Sequence, residues 1–495
     1  MKQISHWIDG RVVAGESGRV APVNDPSRGE QTAEVDLASP KEVDNAVASA
    51  VAAAPGWSAT GLSRRAEIIF RMRELLDGSR NKLASLISAE HGKVAADADG
   101  EVARGLENLE FACGVPHLLK GSYSAHVSPG IDVHSVLHPI GVAAGITPFN
   151  FPAMVPLWMM ANAIACGNCF LLKPSERDPS ASLFLADLWQ GAGLPDGVFN
   201  VVQGDRVAVD RLLEHPLVGA ISFVGSTSVA RRVYEVGCRN GKRVQALGGA
   251  KNHMVVLPDA DIDVAAGAAV SAAYGSAGER CMAVSVVVAV GSVADSLVDA
   301  ICQRILEIVV GRSDDPASML GPLITAEHVQ RVGGYLEPES LGAAKVVVDG
   351  RLVGADRSGF FLGPTLVDHV APGSRIYDEE IFGPVLSVVR VESYEDAVSL
   401  INSSAYANGA AIFTRDGGAA RRFEADAEVG MIGVNVPIPV PVSHFSFGGW
   451  KASLFGDARM YGPDGIRFYT REKVVTSRWP EPSVSAIELG FPQHR

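Results

Sequence analysis

Short apolar runs alternate with longer helical patterns between residues 141 and 247, and few folds accommodate that order. The apolar runs are strand-like and lie at residues 142–146, 169–173, 198–202, 220–224 and 244–247. Helix-start and turn signals such as Asp178-Pro179-Ser180 lie between them. This alternation predicts βαβ units and a parallel sheet. A sheet of this kind binds its ligand at the carboxyl ends of its strands.

A second alternating stretch begins near Asn252 and predicts a second α/β domain. Its strand-like runs lie at residues 254–257, 285–290, 386–391, 411–414 and 431–436. A chain of 495 residues is too long for one hydrophobic core, so two or three domains are expected.

Two further strand patterns fall outside both stretches. Residues 123–139 alternate around Pro129-Gly130 and predict a hairpin, and residues 474–476 predict a strand near the C-terminus. Strands that protrude from a domain need a pairing partner. We therefore expect an oligomer, either a homodimer or a homotetramer.

The charge of the chain excludes several classes of partner. A net charge of -13 and the lack of a dense basic run argue against nucleic acid and acidic membrane surfaces. The N-terminus has no apolar signal region, and the most apolar stretch, residues 153–166, is too short to span a bilayer. We expect a cytoplasmic protein with a small-molecule substrate.

Six cysteines in so long a chain do not form a disulfide framework, and reduced thiols are expected. Cys166 and Cys169 fit the C-x-x-C template of redox and metal sites. No second Cys or His cluster completes a tetrahedral site in the sequence, so we expect no metal.

Cys281 has the sequence context of a nucleophile. It follows small residues at 275–278 and stands directly after Arg280. A neighbouring cation favours the thiolate form of a cysteine. The alternative is a buried structural thiol that packs as a small hydrophobe.

The motifs, in their order along the chain, resemble the aldehyde dehydrogenase superfamily. Residues 147–152 read Thr-Pro-Phe-Asn-Phe-Pro, residues 173–176 read Lys-Pro-Ser-Glu, and residues 379–384 read Glu-Glu-Ile-Phe-Gly-Pro. The resemblance implies a Rossmann-like NAD-binding domain, an α/β catalytic domain and a small β oligomerisation element. It places them respectively at residues 1–122, 141–251 and 447–465, at residues 252–446, and at residues 123–140 and 466–495.

The same resemblance assigns roles to single residues. It makes Cys281 the nucleophile, and it makes Asn150 a donor to the oxyanion together with the Cys281 backbone N–H. The NAD-binding residues it implies are Thr147, Phe149, Lys173, Glu176, Gly225, Ser226, Glu380 and Phe382. Glu176 would accept from ribose hydroxyls and repel a 2′-phosphate, so NAD is preferred over NADP.

One departure from the superfamily pattern narrows the reaction. Hydrolytic members carry a glutamate before the Leu-Gly-Gly stretch as general base for water, and here that position is Ala246. Either another base substitutes, or a nucleophile easier to activate than water releases the acyl group. A thiol is such a nucleophile, so coenzyme A is the expected co-substrate.

The residues around Cys281 resemble the CoA-dependent methylmalonate-semialdehyde dehydrogenases. That family holds the substrate carboxylate with two arginines, which map to Arg104 and Arg280; two guanidinium groups fix a carboxylate well. The alternative for Arg104 is a surface pair with Glu101 or Glu107. Phe151 and Phe445 are candidates for the substrate pocket. The implied products are propionyl-CoA and carbon dioxide, or acetyl-CoA from malonate semialdehyde, as in valine catabolism.

Two other departures leave alternatives open. Ala230 replaces a glycine in a close helix contact, and Glu279 places a carboxylate where glutamine is usual. If Glu279 acts as the base, a hydrolytic enzyme that forms free acids becomes the rival. A catalytically silent scaffold and a cofactor-free thiol esterase are further rivals. His253 and His444 are expected to be packing or loop residues.

Overall fold

The computed structural model of the chain describes residues 2–354 and 358–479, and it alternates strands with helices. The described strands are β1 (Lys2–Ile4), β2 (His6–Ile8), β3 (Arg11–Val13), β4 (Val20–Asp25), β5 (Glu30–Asp36), β6 (Tyr123–Ser128), β7 (Ile131–Pro139), β8 (Val142–Ile146), β9 (Cys169–Lys173), β10 (Phe199–Val201), β11 (Ala220–Val224), β12 (Arg243–Leu247), β13 (Asn252–Val256), β14 (Val284–Val290), β15 (Lys345–Val348), β16 (Thr365–Asp368), β17 (Val385–Val391), β18 (Tyr406–Ala407), β19 (Gly409–Phe413), β20 (Met431–Val434), β21 (Trp450–Lys451), β22 (Leu454–Phe455) and β23 (Thr470–Arg478).

The helices of the same ranges are α1 (Pro40–Ala59), α2 (Leu62–Gly78), α3 (Arg80–His91), α4 (Ala95–Cys113), α5 (Val115–Leu118), α6 (Met154–Ala165), α7 (Ser180–Gly191), α8 (Arg206–Glu214), α9 (Thr227–Arg239), α10 (Ile262–Tyr274), α11 (Ala294–Ile305), α12 (Ala326–Gly333), α13 (Pro338–Leu341), α14 (Arg351–Gly354), α15 (Arg375–Asp378), α16 (Tyr394–Ser403), α17 (Gly417–Asp426) and α18 (Gly462–Phe468). Three short 3-10 turns add Gly275–Gly278, Gly291–Val293 and Gly334–Leu336.

The first large sheet contains the five strands predicted between residues 141 and 247. Its order is β22-β12-β11-β8-β9-β10-β2-β3, and the strands from β12 to β10 run parallel. Chain order reverses between β8 and β11, where two carboxyl ends lie side by side. This switch point is where an open parallel sheet binds its ligand.

The second large sheet has the order β15-β16-β17-β14-β13-β19-β20, with β15 antiparallel and the rest parallel. Its predicted strands are confirmed to within a few residues at each end. The loops that enter β14, β17 and β19 all lie at the amino edge of this sheet. The general rule for parallel sheets places ligand sites at the opposite edge, where the carboxyl ends of the strands lie.

A third sheet contains the predicted hairpin. Strand β7 pairs with β6 around Pro129-Gly130 and with the whole length of β23. Tyr123 and Val474 are exposed on this sheet. Its role in an oligomer stays a prediction, and residues 480–495 of the predicted oligomerisation element lie outside the described residues.

Several elements escaped the sequence analysis. A three-stranded sheet of order β1-β5-β4 and the edge strands β2, β3 and β22 are too short or too irregular to give an alternating pattern. Residues 447–465 contribute to two sheets: β22 pairs with β12 of the first large sheet, while β21 pairs with β18 in a separate two-stranded sheet.

Two hydrophobic cores lie around the two large sheets. Helix α6 is buried over its whole length between the first sheet and α4. All six cysteines lie in the described ranges and are free thiols. Cys166 and Cys169 are buried, and burial raises the pKa of each thiol to about 12, which makes them poor nucleophiles. None of the described helices is both long and apolar enough to cross a bilayer.

Candidate active site

A strained turn delivers Cys281 to the cleft between the two sheets. After α10 the chain passes through Ser276 and Ala277, whose φ angles of 54° and 53° lie in the left-handed region. Gly278 follows with φ 73°, and a Cβ there would lie 2.2 Å from the carbonyl oxygen of Gly383. Only glycine permits this contact, which sets the nucleophile loop against the segment that precedes β17.

Two buried amides hold the backbone of Cys281. Asn252 and Asn408 each donate from Nδ2 to the Cys281 carbonyl oxygen, at 2.9 and 3.3 Å. They begin β13 and precede β19, so the amino edge of the second sheet fixes the nucleophile. Sequence reasoning missed both residues, because an asparagine beside a strand has no distinctive spacing.

The Cys281 side chain is half-buried, and its resting form is the thiol. Burial raises its pKa to about 12, and the Glu380 carboxyl acts in the same direction. Arg280 and the backbone N–H of Met282 lower this pKa by a smaller amount. Arg280 therefore acts on this pKa in the direction expected from the sequence, but desolvation outweighs it in the unliganded site.

Asn150 is buried in the loop that leaves β8. Its Nδ2 donates to the backbone carbonyl of Glu279 at 2.9 Å, and its backbone carbonyl accepts from Lys93 Nζ at 2.7 Å. The amide is thus within reach of the nucleophile loop, two residues before Cys281.

A cavity of about 330 Å³ opens on one side of Cys281 and contains both predicted arginines. Phe151 lines it as predicted, whereas Phe445 is 63% exposed and is absent from its described lining. Phe447 takes that place, because its backbone pairs with Met460 and turns the ring toward Trp158. The remaining lining residues are Ala96, Asp97, Gly100, Glu101, Met154, Trp158, Met282, Ile438 and Val440.

Both arginines already have carboxylate partners. Arg280 donates to Asp97 at 2.5 Å, and Asp97 also accepts from the backbone N–H of Ser276. Arg104 pairs with Glu107 at 2.9 Å, which is one of the two pairs foreseen for it. Arg104 nevertheless lines the cavity, so its surface pairing and its predicted contact with substrate are compatible.

A groove of about 760 Å³ opens on the other side of Cys281 and continues into a second groove of about 510 Å³. The predicted cofactor residues all line these grooves. Phe149, Gly225, Ser226, Glu380 and Phe382 line the first, and the second adds Thr147, Lys173 and Glu176. Apart from Glu380 and Phe382, which precede β17, they lie at or just after the ends of β8, β9 and β11, so the carboxyl edge of the first sheet forms most of this side of the site.

The start of α9 leaves backbone donors open toward the groove. Within the described residues the Ser226 side chain makes no capping bond, and Thr227 Oγ1 accepts from Gly249 N–H instead. Unpaired N–H groups at a helix start suit a phosphate. Ala230 is fully buried in this helix and absent from the described groove lining. Lys173 pairs with Glu176 at 3.3 Å at the far end.

The loop before β17 is held from several directions. Glu380 accepts from Ala250 N–H at 2.9 Å, and burial raises the pKa of its carboxyl to about 7. The Lys251 ammonium donates to two carbonyls of this loop, at Ile376 and Glu379. Phe382 has φ 57°, and His328 donates to its carbonyl oxygen at 2.7 Å.

Glu279 is fully buried, and its carboxyl contacts a different set of groups from its backbone. Oε1 accepts from Ile324 N–H at 3.3 Å and lies 3.4 Å from His328, while His91 lies 3.8 Å from Oε2. Burial raises the pKa of this carboxyl to about 8, so it is protonated at neutral pH. Neither Glu279 nor Ala246 is among the described lining residues of the cavities that contain Cys281.

The two histidines set aside in the sequence lie away from the chemistry. His253 is buried in β13 and bonds to the Tyr377 hydroxyl at 2.9 Å, and its pKa is lowered by burial to about 3. His444 is exposed beside Phe445.

The fold and the site together define a class: a two-sheet α/β enzyme whose cysteine lies where a glycine-lined groove meets an arginine-lined cavity. The model of the aldehyde dehydrogenase family matches residues 12–475. The chain belongs to the aldehyde dehydrogenase family, and the predicted fold is confirmed.

Relatives and solved structures agree over the whole length. A malonate-semialdehyde dehydrogenase of Pseudomonas aeruginosa is 54% identical over 99% of this chain and 100% of its own. A methylmalonate-semialdehyde dehydrogenase structure from Oceanimonas doudoroffii has a TM-score of 0.96 at 54% identity and covers 97% of this chain and 99% of its own. A Sinorhizobium meliloti structure assigned to the same activity and complexed with NAD has a TM-score of 0.96 at 51% identity, covering 98% and 99%.

Proposed function

We propose that the chain oxidises malonate or methylmalonate semialdehyde with NAD and coenzyme A, releasing carbon dioxide and acetyl-CoA or propionyl-CoA. The observation that carries this proposal is the shared cavity of Cys281, Arg104 and Arg280. A semialdehyde of this class has a carboxylate two carbons from the aldehyde. Two guanidinium groups beside a thiol match that spacing of charge and electrophile. The relatives named above act on the same substrate class according to their names.

In the proposed reaction Cys281 attacks the aldehyde carbon after losing its proton. The oxyanion is held by Asn150 Nδ2 and the Cys281 backbone N–H. In the unliganded site Asn150 Nδ2 donates to Glu279, so the amide exchanges a backbone carbonyl for the oxyanion. Arg280 is adjacent to Cys281 in the chain. A substrate whose carboxylate is bound by Arg280 therefore has its aldehyde carbon close to the Cys281 sulfur.

The grooves fit a dinucleotide. A Cβ on Gly249 would lie 2.3 Å from the Glu380 carboxyl, and the open start of α9 offers donors for phosphates. Lys173 and Glu176 would hold the adenosine ribose, and Glu380 and Phe382 the nicotinamide ribose and ring. NAD, when bound there, supplies the acceptor of the aldehyde hydride. A carboxylate at Glu176 favours NAD over a cofactor with a 2′-phosphate.

Coenzyme A is proposed as the acyl acceptor because, apart from Glu380, the described carboxyls around Cys281 are poorly suited to activate water. Ala246 has no carboxyl, and Glu279 is buried in its own cluster. Asp97 and Glu101 are paired with cations. A CoA thiol is ionised to a few per cent at neutral pH and needs less assistance than water.

A hydrolytic dehydrogenase that forms a free acid is the rival, and one observation favours it. Glu380 lines both the groove and the pocket of Cys281, and a pKa of about 7 suits a general base. The same carboxyl is also placed to hold the nicotinamide ribose. The acylating and the hydrolytic proposals differ in a measurable way, because only the acylating reaction requires coenzyme A.

The test follows NADH after mixing the enzyme, NAD and methylmalonate semialdehyde, with and without coenzyme A. We expect a burst of about one NADH per site without coenzyme A, and sustained turnover to propionyl-CoA with it. Sustained turnover at the same rate in both mixtures would establish the hydrolytic rival. A cofactor-free esterase or a silent scaffold would give no burst at all.

The chain is further proposed to act as a cytoplasmic homodimer or homotetramer. Strand β23 pairs along nine positions with β7, and exposed apolar side chains such as Val474 lie on this third sheet. A sheet edge of this length is suited to pairing between subunits. Sedimentation of the purified protein measures the assembly directly, and a monomer at micromolar concentration would contradict it.

A further inference from the structure

Lys93 and Glu101 form an ion pair that is completely enclosed by protein. The Lys93 Nζ lies 2.7 Å from Glu101 Oε2, and both side chains have zero exposure. Removing two charges from water is unfavourable unless further hydrogen bonds complete both groups. The remaining bonds of this pair therefore indicate what it does in the fold.

Every other hydrogen bond described for the two side chains goes to one loop, residues 150–154. Lys93 donates to the carbonyl oxygen of Asn150 at 2.7 Å, and its ammonium lies 4.5 Å from the centre of the Phe151 ring. Glu101 Oε1 accepts from the backbone N–H groups of Ala153 and Met154, at 2.8 and 3.1 Å.

The loop cannot satisfy these groups itself. Helix α6 begins at Met154, and the alanine side chain at the preceding Ala153 cannot accept from its first N–H groups. Pro152 lacks an N–H, so the loop has few bonds of its own. The Glu101 carboxylate supplies the acceptors and the negative charge that a helix start favours.

We propose that Lys93 and Glu101 are positioning residues that fix Asn150 for oxyanion binding. They act through the backbone of the loop: Lys93 holds the Asn150 backbone carbonyl, and Glu101, at the wall of the arginine-lined cavity, holds the two N–H groups that follow Pro152. The position of the Asn150 side-chain amide relative to Cys281 is thereby fixed. This inference rests on the oxyanion role proposed above for Asn150.

The experiment is a double-mutant cycle on the cofactor-free acylation of Cys281. The Cys281 thiol loses its proton to solvent and its sulfur attacks the carbonyl carbon of p-nitrophenyl acetate; an acetyl thioester forms, and p-nitrophenolate leaves with the electron pair of the broken C–O bond. Asn150→Ala is expected to slow this step about 10²- to 10³-fold, as loss of one oxyanion donor does. Lys93→Met is expected to slow it roughly 10²-fold, because a misplacement near 1 Å has that effect.

The double variant distinguishes positioning from a general structural role. If Lys93 acts through Asn150, Lys93→Met/Asn150→Ala is no slower than Asn150→Ala alone within about threefold. Multiplied effects would overturn the inference. An unaffected Asn150→Ala variant would instead overturn the oxyanion role itself, so the two failures are separable.

Two further variants keep the test decisive. Glu101→Gln preserves shape and is used in the same cycle if Lys93→Met does not fold; it is expected to slow acylation at least several-fold and to show the same non-additivity. Asp99→Asn is the matched control, since Asp99 lies on the same helix α4 and its partly exposed ion pair is with Arg80 of α3. A wild-type rate in Glu101→Gln, or an equal loss in Asp99→Asn, would contradict the inference.

Discussion

The groove and the cavity on the two sides of Cys281 differ in the groups that line them. The groove of about 760 Å³ includes a helix start, the Gly248-Gly249 segment and the loop before β17, together with side chains such as Phe149 and Arg177. The cavity of about 330 Å³ has four charged lining residues, and each has an ion-pair partner before any ligand arrives: Arg280 with Asp97, Arg104 with Glu107, and Glu101 with Lys93.

The difference teaches how each side selects its ligand. Backbone N–H groups and glycines recognise shape and phosphate, and they change little when a ligand binds. On the cavity side a ligand carboxylate has to compete with Asp97 for Arg280, so an uncharged aldehyde gains nothing from that arginine. Selection for a carboxylate-bearing aldehyde is therefore made in the smaller cavity.

The largest expected effect comes from removing a cavity arginine. Arg280→Met should lower kcat/KM for malonate semialdehyde about 10²- to 10³-fold, because a buried charge pair with the substrate is lost. For propanal, which has no carboxylate, kcat/KM should stay within about threefold. Steady-state kinetics with the two aldehydes measures the ratio; equal losses for both would mean that the cavity does not select by charge.

The next effect concerns the thiol where both sides meet. Because burial holds the pKa of Cys281 near 12, its thiolate fraction rises about tenfold per pH unit over the neutral range. Iodoacetamide alkylation of the ligand-free enzyme, quantified at Cys281 by mass spectrometry, should rise accordingly from pH 7 to 9. Exposed Cys238 in the same sample serves as the internal reference. A rate at Cys281 that levels off below pH 8 would show a thiolate already formed at rest.

A variant on the groove side sharpens the contrast. Glu380→Gln should raise the KM for NAD about tenfold, since a charged acceptor for a ribose hydroxyl is replaced by a neutral one. The KM for the semialdehyde should stay within about twofold. If the semialdehyde KM rises as much as the NAD KM, the two sides are not independent.

The smallest effect is expected at Glu279. Glu279→Gln should leave CoA-dependent turnover within about threefold, because the protonated acid and the amide have similar shape. A loss of 100-fold would identify Glu279 as the base of a hydrolytic reaction.

The stability of the same variant has a defined pH dependence. The folded pKa of Glu279 is raised to about 8, so the wild type loses stability as pH rises from about 4.5 to 8, by up to about 1.4 kcal/mol per pH unit. The Tm of Glu279→Gln relative to wild type should therefore increase over that window. A constant Tm difference would contradict the buried acid.

The groove side of Cys281 was the easier one to predict from the sequence. Its residues follow strands whose apolar runs are plain in the sequence, so the amino-acid pattern is enough to assign Thr147 and Gly225 to one sheet edge. The five parallel strands and the hairpin followed from alternation alone. The order of the motifs then identified the fold.

The cavity side of Cys281 was only partly predictable from the sequence. Asp97 and Glu101 are one helical turn apart on α4, yet nothing in their spacing links them to the Ser276 turn or to the Asn150 loop. Those links arise when α4 packs against α6, which is a tertiary event. The exchange of Phe445 for Phe447 has a similar origin, since the bridge to Met460 decides which ring turns inward.

The central claim is that Cys281 carries an acyl group that coenzyme A removes. Acid-quenched intact-protein mass spectrometry tests it after one turnover with NAD and malonate semialdehyde. We predict an acyl adduct on Cys281 that persists without coenzyme A and disappears as acetyl-CoA forms when coenzyme A is added. An adduct that decays equally fast without coenzyme A, or no adduct on Cys281, would contradict the account.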